Sequence, residues 1–146
     1  MYGSRIDPDQ GLLIGLFSGA NNDDDDYQRY VDSILEGDRR TRAGTAQIAI
    51  LMVDRGNPPP SAKWRKRIAD TTAKLRTEGA VFVLCAESPL IRGVLTAINW
   101  IRPPPYAVRI VATFDEVLAV VAERRAPARA VAIRMLAELR AEAQRG

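Results

Sequence analysis

Four short apolar runs recur along the chain: 11–17 (GLLIGLF), 46–53 (AQIAILMV), 80–86 (AVFVLCA) and 107–112 (AVRIVA), the last interrupted by Arg109. A run that is apolar at nearly every position has no polar side to turn to water, so it reads as a strand covered on both faces. Between and after these runs lie stretches with helical periodicity, and strands joined by helices pair in parallel through right-handed crossovers. Residues 4–6, followed by a turn at Pro8 and Asp9, predict a short edge strand that forms a hairpin with the first run. The order β, β, α, β, α, β, α, β, α, α predicts an α/β domain with a mixed sheet, helical crossovers and an extra C-terminal helix. The run 46–53 is the candidate for its central strand.

The helices carry their own signals. Tyr27, Tyr30, Val31, Ile34 and Leu35 recur at helical spacing and end at Gly37. The acidic run 23–26 falls in the first turn of that helix, where carboxylates cap free N–H groups and meet the positive end of the helix dipole. Consecutive helical positions point about 100° apart, so the run does not wrap a cation. Ser61 predicts the N-cap of a second helix to about Thr77, with Trp64, Ile68, Thr72 and Leu75 on one face and basic residues on the other. Ser88 and Pro89 start a third, 89–101 (PLIRGVLTAINWI), apolar on almost every side. Such a helix needs cover, either from the last helix or from a partner. Thr113 and Glu116 form a capping box for a fourth helix. Pro127 opens a fifth, with Ala128, Val131, Ala132, Met135 and Leu139 on one stripe. The division expected is a core domain over 1–123 and a helical extension over 124–146, folded back on the core or offered to a partner.

Composition excludes more chemistry than any motif supports. The 146 residues, enough for one domain, include no histidine and one cysteine. Serine–histidine and cysteine–histidine catalysis, histidine-ligated metals and intramolecular disulfides are therefore out. Cys85 sits in an apolar strand and reads as a small buried hydrophobe. Residues 1–60 hold 6 basic and 10 acidic residues and residues 61–146 hold 15 and 8, a charge dipole with a net of only +3. That is too little to imply nucleic acid, despite the basic stretch SAKWRKR with Trp64 as a conceivable stacking platform. No apolar run reaches the roughly 18–20 residues of a membrane span, so a cytoplasmic location is expected.

The order of elements, with the phrases IAILMVD, Ser61 at a helix start, AVFVLCAE and RGVLTAINWIRPPP, resembles the STAS-like superfamily, whose fold is shared with anti-sigma-factor antagonists. The likeness spans roughly residues 5–123 and is strongest to bacterial members of unknown function. It implies a protein-interaction module without catalytic machinery. Phosphorylation-switched members carry a phosphoacceptor serine at the start of the helix after the central strand, and Ser61 stands in the matching place after Asp54. The intervening Arg55-Gly56-Asn57-Pro58-Pro59-Pro60 departs from the Asp-Ser-Ser-Gly type of loop those members have.

The expected function is a non-catalytic module in bacterial regulation that self-associates, most simply as a dimer, and engages a protein partner without a cofactor. Its rim is predicted at the strand-end residues Asp54, Arg55, Asn57, Glu87, Ser88 and Arg92, where α/β sheets often bind ligands. Its interface is predicted on the third helix at Val94, Ile98, Trp100 and Ile101, with Trp100 as an aromatic anchor. The alternative is a domain that binds a small ligand or anionic lipid at the same rim. A further one is an enzyme using Asp54 and Glu87 as paired carboxylates.

Overall fold

The computed structural model describes residues 1–76, 78–101, 104 and 106–146, with the side chains of 98–101 left aside. Its sheet has five strands in the order of the sequence: β1 (Tyr2–Asp7), β2 (Leu12–Phe17), β3 (Ile48–Val53), β4 (Val81–Ala86) and β5 (Ala107–Val111). β1 and β2 form the antiparallel hairpin, and every later pairing is parallel. β3 is central, as its unbroken apolar run requires.

Side chains alternate across a strand, and here each alternate set meets different helices. Leu12, Ile14 and Leu16 of β2, Ile48, Ile50 and Met52 of β3, and Val81, Val83 and Cys85 of β4 face α4 (Phe114–Arg124) and α5 (Ala128–Arg145). Phe17, Leu51 and Leu84 point the other way, into a core with α1 (Asp24–Arg40) and Trp64 of α2 (Ala62–Thr72); Leu95 of α3 (Pro89–Ile101) packs against it. Right-handed crossovers that step in one direction put their helices on one face, which is why α1, α2 and α3 share a side.

Two local expectations are corrected, and one alternative left open is decided. Gly37 does not end α1, which continues to Arg40. A side chain at Gly37 would meet Gln47 Nε2 at 2.9 Å and Leu13 at 3.2 Å, so this glycine allows close packing and is not a stop signal. α2 ends at Thr72, short of Thr77, which lies outside the described residues; the hydroxyls of Thr71 and Thr72 bond back to the carbonyls of Arg67 and Ala69 at its end. The last helix folds back, but onto the face opposite α3, so it does not cover α3. Its buried Ala128, Ala132, Met135, Leu136 and Leu139 complete the core over β1 and β2.

Candidate functional site

The α1–α3 face is incompletely filled. Trp64 draws α2 toward α1: its ring stacks on Tyr27 at 5.6 Å, and its Nε1 donates to Asp24 at 2.8 Å. α3 stands over β4 and β5. Between α2 and α3 an open cleft of about 380 Å³ runs down to the sheet. Its floor follows the strand register, with Phe82 beside Val108 in one row and Leu84 between Leu51 and Ile110 in the next. Ile68 and Thr72 of α2 form one wall, and Ile91, Val94 and Leu95 of α3 form the other.

The two ends differ. Tyr106 closes the end nearest the strand starts, and its hydroxyl bonds to Thr72; burial pushes that phenol up and the Thr72 bond partly offsets the shift. A separate, smaller cavity of about 50 Å³ shares Tyr30, Thr72, Phe82 and Tyr106 as lining and lies toward Gln47 and Arg76. The other end opens at the strand ends, framed by Asn57, Pro58, Pro59, Pro60 and Arg65. Asn57 is 2% exposed and fully engaged. Its Oδ1 accepts from Asn22 Nδ2 at 2.8 Å, and its Nδ2 donates to Gly19 O at 3.0 Å. That amide pair holds the proline segment against the loop before α1. Arg65 Nη1 donates to Pro60 O at 2.8 Å, and among the described residues the guanidinium has no carboxylate partner.

The predicted rim divides between the two faces of the sheet. Val53 points into the cleft, so Asp54, the next residue, points to the opposite face and pairs with Arg140 of α5. Glu87 stands one strand over, since Val53 and Ala86 are register partners. Arg92 Nη1 donates to the carbonyls of Ala86 at 2.7 Å and Glu87 at 2.8 Å, closing the end of β4. Ser88 Oγ accepts from the Ile91 amide at 3.4 Å, as a cap. Arg55 is exposed. Asn57 alone of the six reaches the cleft.

Ser61 is exposed at the N-cap position, yet its side chain makes no capping bond, contrary to the expectation. The acidic run does cap: Asp23 and Asp26 form a reciprocal capping box, and Asp24 meets Trp64 and Lys63. Val94 faces the cleft, while the side chains of Ile98, Trp100 and Ile101 lie outside those described. Burial raises the Cys85 thiol to about 11, helped by Glu116 and Glu87 and opposed by Arg140 and Arg92, so it is protonated at neutral pH. Among the described residues no cluster of three or more metal-ligating side chains occurs, and no helix is long and apolar enough to cross a membrane.

Sequence reasoning missed most of the cleft, including Phe82, Tyr106, Val108 and Ile110. One signal for it was present: an apolar third helix beside a proline-framed strand end. No family model matches the chain, and no curated protein or solved structure is significantly similar to it.

Proposed function

We propose that this is a non-catalytic STAS-like domain, working in the cytoplasm, that binds a small apolar ligand in the cleft between the sheet, α2 and α3. The observation that carries the reading is the cleft itself. Protein interiors pack nearly as densely as organic crystals, and apolar cavities of about 150 Å³ already take up small hydrocarbons. The cleft is open, so water lies against its apolar walls unless an apolar molecule displaces it, and displacement removes that hydration cost. The absence of catalysis is supported by the occupied rim, where Asp54 is bound to Arg140 and Arg92 to backbone carbonyls.

Titration with the neutral dye Nile red tests the reading. Saturable fluorescence enhancement is expected for the native chain, and Val94→Trp, which plugs the cleft, abolishes it with the circular dichroism unchanged. No enhancement, or equal enhancement in both proteins, overturns the reading.

A second reading, a self-associating interaction module, is favoured by Leu90, 73% exposed in the first turn of α3. Light scattering at micromolar concentration should then return twice the 16.1 kDa chain mass, and a monomer mass removes it.

A further inference from the structure

We propose that the ligand is a linear amphiphile with one anionic head, its chain lying along the strands and its head held by Arg65 at the cleft mouth. This rests on the small-ligand reading above and adds the class of molecule. The shape comes from the floor, where the lining follows successive rows of the sheet. From the row of Phe82 to that of Ala86 and Val53 are four residues, roughly 13 Å at the rise of a parallel strand. The chain character comes from the walls, which are apolar at their centre. At the closed end the Thr72 hydroxyl donates to Ala69 O at 3.0 Å and the Tyr106 hydroxyl bonds to Thr72, so among the described residues this end makes little demand for a polar group.

The charge comes from the mouth. Arg65 is the one charged side chain among the described lining residues. Its neighbours on α2 are committed: Lys63 pairs with Asp24 at 3.5 Å and Lys66 with Asp70 at 2.9 Å. Arg65 spends one nitrogen on Pro60 O and keeps its other donors for a ligand, in the fork geometry that suits a carboxylate or phosphate. The start of α2 adds to this. Ser61 does not cap it and none of its own first-turn residues is acidic, so the positive end of the helix dipole adds to the charge of Arg65, while Asp24 of α1 is engaged by Lys63 and Trp64.

Isothermal titration at pH 8 with decanoate, decyl phosphate and 1-decanol tests the assignment. The native chain should bind the two anions at least tenfold more tightly than the alcohol. Arg65→Gln should erase that preference while leaving the alcohol's affinity unchanged, and Lys66→Gln should alter neither. Equal affinity for acid and alcohol, or a preference that survives Arg65→Gln, overturns the anionic head while the small-ligand reading stands. If neither the alcohol nor Nile red binds, the small-ligand reading itself fails. Sedimentation with phosphatidylglycerol vesicles, without uptake of dissolved decanoate, also overturns the proposal, because it places the contact at a bilayer surface.

Discussion

Gly15 has no side chain because Tyr2 passes over it. A Cβ there would lie 2.3 Å from the Tyr2 hydroxyl, which bonds Ser33 of α1 at 2.7 Å and so ties the edge strand to the first helix. Gly15→Ala should cost about 1–3 kcal/mol, the range for overpacking a core. Tyr2→Phe in the same chain should recover part of it, because the nearest atom is the hydroxyl oxygen. Urea unfolding measures both, and an unchanged midpoint for Gly15→Ala would refute the account. Asp26 is the other residue whose chemistry decides something. Its burial alone would raise the carboxyl, but bonds from the Asp23 and Tyr2 amides, with the positive charges of the Met1 amine and Arg29, outweigh that and hold it below the usual carboxylate range. With an unfolded value near ~3.9, its contribution is complete above about pH 4 and disappears as pH falls through the lower folded value. Asp26→Asn should therefore lose about 1–3 kcal/mol at pH 7, where its amide opposes buried donors, and much less at pH 2. Urea midpoints at the two pH values give the comparison, and an equal loss at both would contradict it. The capping role of the acidic run was legible because it depends on local chain geometry. The idle hydroxyl of Ser61 was not, because a cap position does not dictate the rotamer of its side chain.

The strands and helices were legible for a related reason: their periods are local. Unbroken apolar runs named β2, β3 and β4, and Ser88-Pro89 and Thr113 marked real helix starts. What the pattern of α3 left open was the cover, and the answer is tertiary. With α1, α2 and α3 on one side, the other face of β2, β3 and β4 presents nine apolar side chains that only α4 and α5 remain to bury. α5 is spent there, and α3 is left beside a cleft. Of its described side chains only Ile91 is buried, whereas α5 buries five. Elements with few buried contacts open before the molecule unfolds globally. Hydrogen exchange should therefore show faster amide exchange over 92–97 in α3 than over 132–139 in α5, and saturating decanoate should slow the first region selectively. Equal protection in both helices without ligand would mean that α3 is anchored by more than this packing accounts for.

At the scale of the whole molecule, two helical layers cover one sheet, and one layer is complete while the other is not. The mixed five-stranded architecture followed from the order of elements, but the cleft did not, because it depends on how far α2 leans toward α1. That lean is set by Trp64 against Tyr27 and Asp24, contacts between residues some forty positions apart that no sequence period encodes. The same asymmetry separates two leucines that look alike in sequence. Leu139 on α5 is 2% exposed and packs 3.3 Å from where a Gly3 side chain would begin, whereas Leu90 on α3 is 73% exposed. Removing a buried leucine costs about 2–5 kcal/mol, and an unpaired carboxylate in its place adds a desolvation cost, against a total stability of only about 5–15 kcal/mol. Leu139→Asp should thus abolish the cooperative urea transition at 25 °C or bring its midpoint close to zero denaturant, because the final helix is a structural half of the fold. Leu90→Asp should leave the transition within about 0.5 kcal/mol of the native chain, as surface changes usually do. If Leu139→Asp unfolds like the native protein, the complete layer does not depend on α5, and the demand for α5 on that face is not what leaves α3 beside an open cleft.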